Sequence, residues 1–325
     1  MCIRDRFCRG ADGYELTEFK SSTRVKPYHL LDCAVQHWVI CAAGYPIDRT
    51  FLAHVDTRFV YRGDDDYSGL MRHVDVSERI AELIPDIPGL VAEGFHTLSQ
   101  PEAPDIPPGP QCTRPLSCPF IDHCSPAETE YPLSLLPGGG GIVDQMLDEG
   151  ITDVRNIPDG RLQKPLHRRV HQATVSGQAF IDPEIRRALL GLPYPRYYLD
   201  FESIQFAIPR WAETHPYQQL PFQWSCHIET APGETRHEEF LETSGEPPMR
   251  ACAEALIGTL GDTGPIFCYS RYERTVIHQL SARFPDLAAE LGAFAERLFD
   301  LLPMIRMYNY HPCLLYTSDA ADDLA

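Results

Sequence analysis

The sequence predicts an α/β fold, and three observations support this. Apolar residues make up 43% of the 325-residue chain, as expected of a globular protein. Some stretches alternate apolar and polar residues as strands do, and others repeat apolar residues at helical spacing. Strands followed by alternating strands and helices in the C-terminal part indicate a mixed sheet. No apolar run approaches the roughly 20 residues of a spanning helix, so no membrane partner is expected.

The first predicted domain, residues 7–130, combines strands and helices. Tyr14–Lys20 alternates like a strand, and residues 28–42 carry apolar side chains at helical spacing. Residues 51–61 return to a strand pattern, and residues 74–90 have a helical one. Together they predict a compact α/β domain.

Two further domains follow. Residues 131–190 predict a short helical connector, whose helical part, residues 142–187, follows the proline-rich stretch 101–110 and the glycines at 138–141 and includes a turn resembling a helix–hairpin. Residues 191–312 predict a second α/β domain with a mixed sheet. Its predicted strands cover residues 197–202, 222–229, 236–242 and 265–269, and its predicted helices cover residues 249–260, 272–284 and 287–302.

The two ends of the chain have an unusual composition. With permitted codons, residues 1–6 and 313–325 back-translate to the same sequencing-adapter element on opposite strands. We therefore expect both segments to be adapter remnants and residues 7–312 to be an internal piece of a longer protein.

Charge and cysteine content restrict the function classes. The formal net charge of −18 argues against broad, non-specific coating of nucleic acid, although bound cations and a few basic residues can offset it locally. Eleven cysteines, of which Cys2 and Cys313 lie in the adapter-like ends, leave an odd, unevenly spaced set. This pattern indicates a reduced, cytoplasmic protein rather than a disulfide framework.

Two acids end the predicted strand that starts at Tyr197. Asp200 and Glu202 are two residues apart, so both side chains project from one face of a strand. Carboxylates are preferred ligands of Mg²⁺ and Mn²⁺, and paired ions can stabilise the attacking and leaving oxygens of a phosphodiester. The competing interpretation is a solvated strand end.

Glu18 and Lys20 form a second such pair on the strand Tyr14–Lys20. The motif Glu-x-Lys-Ser-Ser-Thr-x-Val-Lys, followed by a helix with Gln36, resembles the RecB-like branch of the PD-(D/E)xK nucleases. The resemblance implies a restriction-endonuclease-like fold with Glu18 as a metal ligand and Lys20 and Gln36 in the site. Arg24 and Lys26 would then contact nucleic acid. The family's aspartate on the preceding strand is expected near the adapter junction.

Three cysteines recur at equal spacing in a proline-rich loop, at positions 112, 118 and 124. Thiols in such a loop are candidate ligands for a soft metal. Because RecB-like nucleases with clusters place three cysteines after the nuclease core, Cys112, Cys118 and Cys124 resemble part of a [4Fe-4S] site. A Zn²⁺ site including His123, or three unconnected thiols, remain alternatives.

Glu273 follows the predicted strand of residues 265–269, where it could meet the Asp200 pair across the sheet. Asp300 lies where a later acid could join or support them. This order resembles the DEDD exonucleases of the ribonuclease H-like superfamily. The resemblance implies metal ligands at Asp200, Glu202 and Glu273, with glutamate at a position that is usually aspartate.

The connector contains a local basic run that includes Arg168 and Arg169. Its functional interpretation is nucleic-acid binding, whereas the competing interpretation is a solvated basic face on a spacer between two domains.

The order of these features from Glu18 to Pro312 resembles a bacterial family catalogued as domain of unknown function 2779, whose members look like a RecB-like half joined to a DEDD-type half. The resemblance implies metal-dependent hydrolysis of DNA phosphodiester bonds, in DNA repair, processing or defence. The rival expectation is a catalytically inactive nucleic-acid-binding or scaffold protein. Because the last DEDD acid is expected beyond residue 312, we expect residues 7–312 alone to cut little.

Overall fold

The computed structural model describes residues 6–10, 13–106, 109–124 and 129–312. Except for Arg6, the adapter-like ends lie outside these ranges. The chain forms two compact units. The described residues of the first unit come from the ranges 1–126 and 205–218, and those of the second come from 127–204 and 219–325. Both units mix helices and strands, as the predicted α/β class requires.

The first unit contains a four-stranded sheet made, in order, of β1 (Arg6–Arg9), β2 (Tyr14–Lys20), β3 (Ile47–Val55) and β4 (Met71–Asp75). β2 pairs antiparallel with β1 and parallel with β3, and β3 pairs antiparallel with β4. Two parallel neighbours need a crossover connection, and helix α1 (Pro27–Ala42) provides it. Pro27 suits the first helical position because its missing N–H would have no helical partner there.

The described residues of the first unit contain four α-helices. Beyond α1 they are α2 (Ser77–Ala81), α3 (Ile87–Leu98) and the short α4 (Ile121–Cys124). Apolar side chains of the first helices pack on Leu52 of β3. The buried members of this cluster are Leu30, Cys33, Ala34, Leu52, Val76, Ile80 and Ile87. The core therefore fixes α1 against β3, the parallel neighbour of the strand that bears Glu18.

Residues 205–218 pack within the first unit although their neighbours in sequence belong to the second. The Tyr61 N–H donates to the Thr214 carbonyl at 3.0 Å, and the Glu213 N–H donates to the Tyr61 carbonyl at 2.7 Å. His215 Nδ1 lies 3.1 Å from the Phe59 carbonyl oxygen. Backbone pairing thus fixes this segment to the loop after β3.

The second unit begins with a helical part. It contains α5 (Gly140–Asp148), α6 (Pro165–Ser176), β5 (Phe180–Ile181) and α7 (Pro183–Leu190). Its buried core is Leu133, Leu136, Met146, Val154, Ile157, Leu162 and Val170. The helices lie in the region predicted as a helical connector, and their shared core makes this region a packed part of the second unit.

The remainder of the second unit is a mixed α/β structure. Its elements are β6 (Arg196–Ile204), β7 (Leu220–Ala231), β8 (Glu234–Leu241), α8 (Pro248–Thr259), β9 (Ile266–Cys268), α9 (Tyr272–Arg283), α10 (Ala288–Arg297), β10 (Leu298–Asp300), α11 (Leu301–Tyr308) and β11 (Asn309–Tyr310). β5 and β11 form a separate antiparallel pair.

Five strands form the main sheet of the second unit in the order β10-β9-β6-β7-β8. β6, β7 and β8 are antiparallel neighbours, whereas β6, β9 and β10 run parallel. Strand β6 therefore lies in the centre of the sheet. The next two strands in the chain, β7 and β8, lie on one side of it, and the later strands β9 and β10 lie on the other. Trp224 of β7 is 1% exposed, and its Nε1 donates to the Cys252 carbonyl of α8 at 3.1 Å.

Two predicted helices are partly wrong. The stretch 74–90 begins with the end of strand β4 before α2 and α3 start, and the stretch 287–302 is interrupted by the three-residue strand β10. Within the described ranges, no helix combines the length and apolar character needed to cross a membrane.

Candidate functional site

In the first unit, β2 and α1 bring together four polar side chains that we call the first carboxylate site: Glu18, Lys20, Asp32 and Gln36. Lys20 Nζ lies 2.5 Å from Glu18 Oε1 and also contacts Asp32. Gln36 Nε2 donates to Glu18 Oε2 at 2.9 Å and to Asp32 Oδ1 at 3.2 Å. The structure thus places the three predicted residues of this motif in one hydrogen-bonded group.

Asp32 is a site residue that the sequence reasoning missed. It lies one helical turn before Gln36 on α1, and residues four apart share a helix face. This four-residue spacing from Gln36 was the sequence signal that could have identified Asp32 as a site residue. Asp32 adds a second carboxylate beside Glu18, from the helix rather than from the preceding strand.

The charges of the first carboxylate site stabilise one another. Burial acts to lower the pKa of Lys20, but its hydrogen bonds with Asp32 and Glu18 outweigh burial and raise this pKa overall. Burial acts to raise the pKa of Asp32, but its hydrogen bonds with Lys20 and Gln36 lower this pKa overall. At neutral pH the group therefore contains an ammonium next to a carboxylate that is held ionised.

The two predicted nucleic-acid contacts follow β2 directly. Arg24 is exposed, whereas Lys26 is half-buried immediately before α1. Lys26 Nζ lies 5.6 Å from the centre of the Tyr28 ring. Both cations are thus close in sequence to Lys20.

In the second unit, β6 presents Asp200 and Glu202 on the solvent-exposed face of the sheet. Phe201 between them is 3% exposed and packs into the core. Burial raises the pKa of Asp200 above its usual range. The alternation of a strand therefore accounts for the position of both acids.

Glu273 lies in the first turn of α9, immediately after β9, and is only 4% exposed. In the described part of the chain, its Oε2 is buried without a hydrogen-bond partner. Burial raises the pKa of Glu273 to about 7, and the negative charges of Asp200 and Asp300 contribute. A buried carboxylate oxygen without a partner is costly, so it is a natural position for a cation.

Asp300 ends β10, the outer parallel strand. Its Oδ1 accepts the Leu302 N–H at 3.0 Å and thereby caps α11. It is near enough to Glu273 for its charge to raise the pKa of that residue. Asp300 therefore combines a structural contact with a position beside the buried acid.

Tyr272 is a second neighbour that the sequence reasoning missed. Its hydroxyl donates to Ser203 Oγ at 2.6 Å. Burial raises the pKa of Tyr272, and the charges of Glu202, Glu273 and Asp200 add to this increase. The phenol therefore lies among all three predicted acids.

We call the acids of the second unit, Asp200, Glu202, Glu273 and Asp300, the second carboxylate site. Two of them lie on β6, Glu273 lies in the first turn of α9 after β9, and Asp300 ends β10. Strands β7 and β8 lie on one side of β6, and β9 and β10 lie on the other, so the sheet has a switch point here. Open α/β sheets bind ligands at such a point. The oxygen-only donor set, with one buried unpartnered oxygen, suits a hard cation such as Mg²⁺ or Mn²⁺.

Across the described ranges, no group of three or more His, Cys, Asp or Glu side chains has the spacing of a formed metal site. Asp200 and Asp300 are near enough to Glu273 for their negative charges to oppose its ionisation. A divalent cation would have to draw their oxygens closer together.

The cysteine loop consists of Cys112, Cys118 and Cys124. The Cys118 N–H donates to the Cys112 carbonyl at 2.7 Å, so the backbone brings these two residues together. Cys112 and Cys118 are half-buried, and Cys124 is exposed at the end of α4. Residues 125–128, which follow directly, lie outside the described ranges. Ligation of a cluster or of zinc stays a prediction.

The two predicted basic contacts of the connector lie on α6 and differ in environment. Arg168 is exposed. Arg169 contacts the Met307 carbonyl, and its guanidinium lies 4.3 Å from the centre of the Phe180 ring. Arg169 therefore holds α11 and β5 against α6, which is a structural role.

Comparison with known proteins leaves one match. No curated protein and no solved structure is significantly similar to the chain. Residues 197–315, which include the strand bearing Asp200 and the described elements up to β11, match the family described as "Domain of unknown function (DUF2779)".

Proposed function

We propose that this protein is a metal-dependent nuclease that hydrolyses DNA phosphodiester bonds, with the second carboxylate site as its principal active site. One observation carries the proposal. Acids on β6, at the start of α9 after β9 and at the end of β10 lie near the switch point of the sheet, and the most buried of them, Glu273, has an oxygen without a partner in the described structure.

The topology of the second unit supports a ribonuclease H-like domain of the DEDD type. The strand that bears Asp200 and Glu202 is followed by two antiparallel strands. The next acid, Glu273, comes after the crossover through α8 to the parallel strand β9. This is the order of acids that the resemblance implies.

The first unit supports a restriction-endonuclease-like domain in the same way. Glu18 and Lys20 share one face of β2, whose parallel neighbour is reached through α1. Gln36 on that helix returns to Glu18. Strand, helix and glutamine are thus combined as in the RecB-like branch.

Magnesium or manganese would be held by Asp200, Glu202, Glu273 and Asp300 in the second unit, and by Glu18 and Asp32 in the first. When bound, such ions stabilise the negative charge that develops during phosphodiester hydrolysis. Lys20 would orient a phosphate oxygen, since its ammonium is held between two carboxylates. Gln36 would keep Glu18 and Asp32 at a fixed separation.

The cysteine loop would hold a structural [4Fe-4S] cluster, with Zn²⁺ as the alternative. The backbone contact between Cys112 and Cys118 supports binding of one metal centre by both thiols, because it brings two of the three cysteines together. Additional ligands would have to come from elsewhere.

A second candidate function is DNA binding without hydrolysis. Lys20 is neutralised by two carboxylates, and Asp300 caps a helix, so each of these groups also has a structural role. In this reading the nuclease folds would act as a scaffold on nucleic acid.

The nuclease proposal is tested with labelled single-stranded and double-stranded DNA, Mn²⁺, and the protein carrying its complete coding sequence. Asp200→Asn should reduce the rate at least about a hundredfold, because it replaces a carboxylate that would hold the catalytic metal ion. Glu290→Gln, an exposed carboxylate on α10, is the matched control. Unchanged hydrolysis by Asp200→Asn would refute the assignment, and DNA binding without any hydrolysis would favour the second candidate.

A further inference from the structure

A polar pocket of about 380 Å³ lies within the first unit, beside the first carboxylate site. The residues around it come from the end of β2, the start of α1 and the segment 205–218. They are Lys20, Ser21, Ser22, Thr23, Lys26, Tyr28, His29 and Tyr217. No carboxylate is among these described lining residues. Two lysines without a carboxylate in the lining, within a chain whose net charge is −18, favour the binding of an anion.

Lys26 and His29 give the pocket its donors. Lys26 takes part in none of the ion pairs found within the described ranges, so its charge is available to a ligand. The Lys26 N–H donates to His29 Nδ1 at 3.3 Å, which leaves the ring proton on Nε2 as a donor. Burial, and then the charges of Lys20 and Lys26, lower the pKa of His29, so the imidazole is neutral near pH 7.

Tyr217 reaches this pocket from the distant segment 205–218. Its φ is +57°, a left-handed conformation that costs a non-glycine residue energy. The conformation is held at both ends of the residue: the Tyr217 N–H donates to the Phe206 carbonyl at 2.7 Å, and the phenol donates to the Ser21 carbonyl. Strain of this kind persists where the surroundings fix it, often at a ligand site.

We propose that this pocket binds a phosphate group of a single DNA strand, with Tyr28 and Tyr217 as surfaces on which the adjoining base stacks. The ammonium of Lys26, the Nε2–H of His29 and the hydroxyls of the β2–α1 loop match the acceptor oxygens of a phosphate. Aromatic rings next to a basic groove bind single strands without sequence preference. The inference deepens the proposed nuclease function and rests on it for the identity of the ligand.

The test is binding rather than cleavage. A fluorescein-labelled single-stranded oligodeoxynucleotide is titrated with the complete chain in EDTA, at several salt concentrations, with fluorescence anisotropy as the signal. Tyr217→Ala should weaken binding about tenfold through lost stacking, and Tyr217→Phe, which keeps the ring, should stay within about twofold of the wild type. Lys26→Ala should weaken binding and reduce the salt slope by about 1.

Arg79→Ala provides the matched control, since Arg79 is an exposed cation on α2 that does not line the pocket. Near-ultraviolet circular dichroism verifies that each variant is folded. The proposal is overturned if Tyr217→Ala and Lys26→Ala bind like the wild type, or if Arg79→Ala weakens binding as much as they do. Inorganic phosphate should compete only at far higher concentration than unlabelled oligonucleotide, and equal competition would overturn the assignment to DNA.

Binding in EDTA also separates this inference from the nuclease proposal. Pocket-dependent binding without Mn²⁺-dependent hydrolysis would refute the nuclease proposal alone. Hydrolysis that is unaffected in the pocket variants, together with unchanged binding, would refute the pocket assignment alone.

Discussion

Replacing Glu273 by glutamine should change the stability of the second unit in a pH-dependent way. The free energy of unfolding of the variant, minus that of the wild type, should be larger at alkaline pH than at acidic pH. Glu273 is 4% exposed, and burial raises its pKa from the usual 4.5 to about 7, with help from the charges of Asp200 and Asp300. Glutamine has nearly the same shape but cannot ionise. The comparison therefore isolates the free energy of burying this charge.

The sign follows from proton linkage. Between pH 4.5 and 7 the folded chain keeps the Glu273 proton while the unfolded chain releases it, so wild-type stability falls as pH rises. Above pH 7 the full cost is present, and it amounts to about 3 kcal/mol for a pKa raised this far. Below pH 4.5 both states are protonated and this cost disappears.

Urea unfolding, followed by tryptophan fluorescence at several pH values from 4.5 to 8 without divalent metal, measures the effect. Trp224 of β7 reports on the second unit. The free energy of unfolding of Glu273→Gln, minus that of the wild type, should increase by about 3 kcal/mol over this range. Glu290→Gln should show no such increase. A difference for Glu273→Gln that stays constant with pH would refute the reasoning.

Three further predictions concern the packing and the cysteine loop. Trp224→Phe should lower the free energy of unfolding by about 1–3 kcal/mol in urea titrations, since it removes the hydrogen bond from Nε1 to the Cys252 carbonyl and replaces a buried indole with a smaller ring. Thr214→Val removes the side-chain hydrogen bond of a fully buried threonine and should speed amide hydrogen exchange within residues 205–218, whereas unchanged exchange would contradict the anchoring role of this residue. Anaerobically purified protein should contain iron and sulfide at the cysteine loop, and stoichiometric zinc without iron would overturn the cluster.

Regular periodicity made several elements predictable. The alternation of Tyr14–Lys20 and the helical spacing that follows it correspond to β2 and α1. Strand β10 was missed because it is three residues long and lies directly between α10 and α11, with no turn residues to separate it from either helix. Its pairing with β9, a tertiary contact, defines it as a strand.

The candidate sites likewise contain some features that the local sequence predicts and others that depend on tertiary packing. The shared face of Asp200 and Glu202 follows from the two-residue period of a strand. The contact of Asp32 with Lys20 depends on how α1 packs on the sheet, which no local pattern specifies. The position of Tyr217 in the first unit depends on backbone pairing between Tyr61 and Thr214, two residues far apart in sequence.

Manganese binding tests the central claim most directly. Electron paramagnetic resonance measures free Mn²⁺ during titration of the wild type, Asp200→Asn and Glu290→Gln, at pH 8 where Glu273 is ionised. If the second carboxylate site holds the ion, Asp200→Asn should weaken binding about tenfold or more while Glu290→Gln binds like the wild type. Equal Mn²⁺ affinity in Asp200→Asn and the wild type would contradict the account.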